Sequence, residues 1–143
     1  MVDRAALGEA GEPFVMPLEQ GKIREYARAI ASSHPDYLAD EAPVIPAHFL
    51  TTTFFWEGER GNPWDRVQMS PQRGMHAEQE YVFHGEPPRA GTRLTCTSRI
   101  DAIYEKTSRS GSTLTFVEMV TDFRDDDGTL VAEAKMTAVE TSE

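Results

Sequence analysis

The sequence predicts an α+β fold in which an antiparallel sheet of about five strands wraps round one central helix. Three observations carry that expectation. Apolar residues recur with period two from Met75 onward, as strands require, whereas residues 19–31 repeat with helical spacing. Between them, residues 46–56 (Pro-Ala-His-Phe-Leu-Thr-Thr-Thr-Phe-Phe-Trp) carry no formal charge. That run is too short to cross a membrane, which takes about 20 apolar residues, so its own domain must cover it. An eleven-residue helix is about 16 Å long and a ten-residue strand about 33 Å. Long twisted strands can therefore curl round one short helix and bury it.

In chain order, residues 1–12 are small and polar and read as a loose N-terminal arm, leaving 13–143 as a single domain. Residues 13–18 form a short edge strand bounded by Pro13 and Pro17. In 19–31, Ile23, Tyr26, Ala27 and Ile30 share one helix face, and Pro35 biases the chain out of the helix. Proline opens the apolar run at a position that suits a first helical turn, while its three threonines favour extended backbone. It reads as a helix held by packing, with a strand as the alternative. Residues 57–73 make a connection rich in turn formers, and loops of that length are often functional or disordered.

Four strands then follow. Met75, Ala77, Tyr81 and Phe83 alternate with His76, Glu78, Glu80 and His84. Leu94, Cys96, Ile100, Ala102 and Tyr104 share a parity in which Ser98 is the polar exception. Leu114 and Phe116 oppose Val117, Met119 and Phe123, which implies a bulge or burial on both faces. Leu130, Ala132, Ala134, Met136 and Ala138 alternate cleanly, and Gly111 and Gly128 mark hairpin turns.

Composition narrows the function. A net charge of −10, from 24 acidic and 14 basic residues, argues against nucleic acid, whose phosphates need a basic face. One cysteine, Cys96, excludes an internal disulfide and fits a reducing, cytoplasmic setting. The first residues carry no apolar run like a signal peptide. The four histidines and the cysteine show no metal-ligand spacing, so neither metal nor cofactor is expected. Gly8, Gly11 and Gly21 lack the strand and helix of a phosphate loop, and the run Asp125-Asp126-Asp127-Gly128 lacks the closing glutamate of a calcium loop.

The order of these parts resembles the hot-dog fold of the MaoC-like dehydratases. The likeness is to their N-terminal-type domain, shared with the small non-catalytic subunits of mycobacterial (3R)-hydroxyacyl-ACP dehydratases. It rests on Gly21-Lys22-Ile23-Arg24-Glu25-Tyr26-Ala27, Ala42-Pro43, His76-Ala77-Glu78-Gln79-Glu80, Pro87, Gly91, Leu94 and Asp127-Gly128 with Leu130-Val131. Together these span the chain from about 14 to 139, and residues 57–73 are the least family-like.

That resemblance implies an acyl-CoA or acyl-ACP substrate and reversible addition of water to a trans-2-enoyl thioester. Competent members carry a loop close to G-D-x-N-P-[LIV]-H, whose aspartate and histidine activate one water. A backbone N–H at the start of the central helix polarises the thioester oxygen. Here the loop reads Ala31-Ser32-Ser33-His34-Pro35-Asp36-Tyr37. Ser32 stands at the aspartate's place and Tyr37 at the histidine's, and neither is a base near neutral pH. His34 and Asp36 mimic the pair only by proximity in sequence.

The resemblance therefore implies an accessory subunit of a hydratase–dehydratase, with no catalytic residues of its own. Its partner would be a catalytic MaoC-like hot-dog subunit, in a heterodimer or a dimer of heterodimers, or otherwise a second copy in a homodimer. Its acyl-binding wall would draw on His48, Phe49, Thr52, Phe55, Trp56 and Trp64, with Phe54 beside them. Arg60, Arg66 and Arg73 suit the phosphates of CoA or the acidic face of a carrier protein, or are simply surface charges. His76 and His84 read as solvated residues. Two other readings are a homodimeric acyl-CoA thioesterase, which needs a carboxylate on or beside the helix, and a non-enzymatic acyl-binding module. Residues 46–56 offer no such carboxylate.

Overall fold

The computed structural model describes residues 1–142. Five antiparallel strands form one sheet: β1 (Phe14–Pro17), β2 (Gly74–Phe83), β3 (Arg93–Thr107), β4 (Thr113–Arg124) and β5 (Leu130–Thr141). Their spatial order is β1-β3-β4-β5-β2, so β1 and β2 are the two edges. The helical material is α1 (Gln20–Ala29), the single turn α2 (Pro35–Leu38), and 3-10 segments at Arg4–Ala6, Phe49–Phe55 and Pro63–Val67. No helix among the described residues is long and apolar enough to cross a membrane.

α1 ends before the proline that was expected to stop it. Ala31 adopts a left-handed φ of 55°, its N–H bonds Arg28 O, and the Ser32 N–H bonds Ala27 O. This paired turn satisfies the last carbonyls of the helix and usually employs glycine.

The central helix is shorter and tighter than the sequence suggests. Only Phe49–Phe55 is helical, and it is 3-10 rather than α. Phe49 and Leu50 are buried, whereas Phe54 and Phe55 remain 57% and 65% exposed. Thr52 and Thr53 turn their hydroxyls back to the carbonyls of Phe49 and Leu50, a local competition that favours short, tight turns over a long α-helix.

The first 12 residues are not loose. Val2 and Ala6 are buried against Val67, Ile100 and Val117. The N–H groups of Gly8 and Gly11 bond Ile100 O and Ser98 O, and the Glu12 N–H bonds Arg60 O. This segment is strapped between β3 and the 57–73 connection. A Cβ on Gly11 would come within 2.0 Å of Gly61 O, so glycine is there for a close backbone approach. Residues 57–73 are likewise held: Val67 is fully buried, and the buried Glu140 carboxylate accepts the Ser70 N–H at 2.6 Å.

Two clusters make the core. One gathers Met16, Leu18, Ile23, Ile45, Phe49, Leu50, Leu94, Cys96 and Phe123 beneath α1 and the central 3-10 helix. The other gathers Val2, Ala6, Val67, Ile100 and Val117 beneath the N-terminal strap. Parity along β3 breaks where the sequence showed none. A register shift between Ile100 and Ala102 brings Ile103 opposite Val117 and Tyr104 opposite Phe116. The parity change within β4 needs no bulge there, since its pairing with β5 runs unbroken from Leu114 to Phe123. Both faces are packed instead: Phe116 stacks on Tyr104 at 5.2 Å on one, and Val117 and Phe123 are buried on the other.

Candidate functional site

The short central helix leaves part of the inner sheet face uncovered, and two chambers open there. The smaller, about 130 Å³, lies between the central helix and the sheet. Leu50, Thr51, Thr53, Phe54 and Glu57 line one side; Gln79, Tyr81, Met119, Thr121, Ala134 and Met136 line the other. The larger, about 450 Å³, lies under the 62–71 stretch and is lined by Trp64, Met69, Met75, Met119, Met136 and Ala138, with Asn62 and His76 at hand. Met119 and Met136 are common to both. The larger volume falls within the range of small-molecule sites, roughly 300–1,000 Å³.

One polar pair joins the chambers. Asn62 Nδ2 donates to Glu57 Oε1 at 2.9 Å, while its own Oδ1 accepts the Trp64 N–H at 2.9 Å. The asparagine thus caps the 3-10 turn Pro63–Val67 and orients the carboxylate at once. Burial pushes the Glu57 carboxyl above its ordinary range, and the bond from Asn62 only partly opposes that. Burial likewise raises the Tyr81 hydroxyl, against a lowering bond with Thr51, so Tyr81 is a protonated donor at neutral pH.

The residues expected to form an acyl wall fall in more than one place, with Phe49, Thr52 and Phe55 together and Trp64 apart from them. Phe49 is buried in the core and Trp56 packs against it. Phe49 also lines, with Thr52 and Phe55, a separate recess of about 220 Å³ between α1 and the central helix. His48 flanks the helix start, its Nδ1 2.6 Å from the Tyr26 hydroxyl. Only Trp64 of those six reaches the larger chamber, and Phe54 reaches the smaller. His76, expected to be solvated, is exposed but also lines the larger chamber, because a register shift between His76 and Glu78 sets it opposite Ala138. His84 meets Glu133 at 2.7 Å.

In residues 31–37 the polar side chains make local turn contacts. Ser32 Oγ accepts the His34 N–H at 3.2 Å, and His34 Nδ1 accepts the Asp36 N–H at 3.3 Å as the cap of α2. His34 and Asp36 are both more than half exposed and 3.9 Å apart, and the Tyr37 ring lies 5.1 Å from that of His34. Each loop arginine lies against a carboxylate of the same chain: Arg60 at 3.1 Å from Glu12, Arg66 against Glu9, and Arg73 at 3.7 Å from Glu140. These pairs link the connection to the strap and to β5.

Sequence reasoning missed Glu57, Asn62, Tyr81 and the methionines. Glu57 is the carboxylate beside the helix that a hydrolytic reading asks for, one residue beyond the helix cap at Trp56. Asn62-Pro63 was a readable cap signal; four of the six methionines meeting in one chamber was not, because they come from three strands and a loop.

Comparison with known proteins adds a likeness to this geometry. The family model described as "FAS1-like, dehydratase domain region" matches residues 5–134. A UPF0336 protein of Streptomyces griseus subsp. griseus is 33% identical over 128 residues, covering 79% of this chain and 77% of its own. The crystal structure of a C-terminally truncated HadBC (3R-hydroxyacyl-ACP dehydratase) complex from Mycobacterium tuberculosis superposes with a TM-score of 0.69 and 25% identity, over 94% of this chain and 96% of that one. A MaoC-like dehydratase superposes with a TM-score of 0.75 over 95% of this chain and 42% of its own, and at 22% identity that likeness is one of fold.

Proposed function

The chain belongs to the FAS1-like dehydratase-region family and has a MaoC-like hot-dog fold, and from that premise we propose that it is the accessory half of an (R)-specific 3-hydroxyacyl-thioester dehydratase. One observation carries the reading: an acyl-sized chamber is present, while Ser32 and Tyr37 occupy the places of the two proton-moving residues. A serine and a tyrosine cannot share the work of an aspartate and a histidine at neutral pH. The catalytic pair would come from a MaoC-like partner, and this chain would supply the wall for the acyl tail.

Two features suit such a partner. Among the described residues β2 pairs with β5 alone, so one edge of a ten-residue strand is open for continuation of the sheet. Phe54 and Phe55, their rings tilted with centroids 4.2 Å apart and more than half exposed, form an apolar knob on the central helix. Mixing with a catalytic MaoC-like subunit is expected to raise hydration of crotonyl-CoA or to extend the range of chain lengths accepted. Hydration at enzyme-like rates by this chain alone would end the proposal.

Glu57 gives a thioesterase its best support, and distance weakens it. The N–H groups able to polarise a thioester lie at the start of the central helix, whereas Glu57 follows its end. Seven residues at about 2 Å rise set those ends roughly 14 Å apart, too far to serve one carbonyl. Release of free thiol from acyl-CoA by the purified chain would favour hydrolysis instead.

A further inference from the structure

The chamber beside the central helix is more polar than a hydrocarbon tail requires. Glu57 Oε1 is held by Asn62, and its Oε2 has no protein partner among the described residues. Tyr81 lines the same small chamber from β2. An unbranched alkyl chain laid across this space would strip water from a carboxylate oxygen and return nothing, a penalty that grows with burial.

We propose that the groove selects an acyl chain carrying a hydroxyl group remote from its thioester, with that hydroxyl set between Glu57 and Tyr81. The inference rests on the acyl-wall reading above and adds the class of tail. The chemistry of the pair decides the class. A carboxylate only accepts hydrogen bonds, and a protonated phenol is available to donate. A hydroxyl can donate to the first and accept from the second, whereas a ketone only accepts and an ammonium only donates. A chain that continues past that hydroxyl would run over Met119 and Met136, common to both spaces, into the larger chamber beside Trp64 and Met69, whereas one that ends there fills the smaller space alone. Thioether side chains with three rotatable bonds adapt to chains of differing shape.

The test is calorimetric titration of the full chain at neutral pH with dodecanoate, 12-hydroxydodecanoate and 12-aminododecanoate. The hydroxylated probe is expected to bind about tenfold more tightly than dodecanoate, as one hydrogen bond to a charged group allows, and more tightly than the amine. In Glu57→Gln the amide presents an N–H₂ where the carboxylate accepted, and in Tyr81→Phe the donor is gone. The ratio of the hydroxylated to the plain affinity is expected to fall toward one in both. Equal binding of dodecanoate and 12-hydroxydodecanoate, or a ratio that survives both substitutions, overturns this inference and leaves the acyl wall standing. Tightest binding of the amine assigns the site to cations and overturns it too. Binding of none of the three overturns the acyl-wall reading along with it.

Discussion

Ser98 Oγ and Thr121 Oγ1 lie 2.8 Å apart across the β3–β4 pairing, both almost excluded from solvent. Each hydroxyl is the other's answer to burial. Ser98→Ala leaves the Thr121 hydroxyl without that partner and is expected to destabilise by about 1–3 kcal/mol. The double substitution Ser98→Ala with Thr121→Val removes both polar groups and is expected to recover much of the loss. Urea unfolding of the two variants checks this; additive losses would show that the pair contributes nothing as a pair.

Two glycines separate close approach from mere propensity. Gly11→Ala sets a methyl against the Gly61 carbonyl, where backbone on both sides resists movement, and is expected to destabilise by about 1–3 kcal/mol or more. Gly21→Ala has open space around it inside α1 and is expected to stabilise by roughly 0.5–1 kcal/mol. Thermal unfolding of both, run side by side, would expose a mistaken account of the strap if Gly11→Ala were neutral.

The raised Glu57 carboxyl has a signed consequence for stability. An acid whose folded pKa exceeds its unfolded value disfavours the fold once ionised, so its contribution is retained below the ordinary glutamate range and lost as pH rises through the folded value. Glu57→Gln keeps an oxygen for Asn62 and cannot ionise. It is expected to melt higher than the parent at pH 7, with the gap closing toward pH 4. A gap that is independent of pH would contradict the assignment of burial as the cause.

Substituting serine for both Phe54 and Phe55 is expected to weaken association with a catalytic MaoC-like subunit, seen by size-exclusion chromatography of the mixture. These rings are exposed in the single chain, so its melting temperature is expected to change little. Undiminished complex formation would place the interface elsewhere.

Arg60 and Arg66 sit in exposed ion pairs with Glu12 and Glu9, which are worth about 0–1 kcal/mol each. Replacing both by alanine is expected to leave the KM for acyl-CoA of the partnered complex within about twofold, since each is already paired with a carboxylate. A rise in KM that weakens with added salt would return both to the phosphate-contact role the sequence suggested.

Much of the architecture was legible from residue order. Period two from Met75, helical spacing around Ile23 and Ala27, and glycines at the hairpins are local signals, and local signals survive in a linear string. The charge balance was equally open to reading, because residue identity alone fixes formal charge. The tertiary structure decided the rest. It strapped a polar terminus to β3, shortened the central helix to one tight 3-10 segment, and shifted registers at Ile100 and His76. It also gathered Met69, Met75, Met119 and Met136, from three strands and a loop, around one space. Such meetings depend on which backbones pack closely and which strand slips by one residue, and each is a property of contacts far apart in sequence that no local pattern encodes.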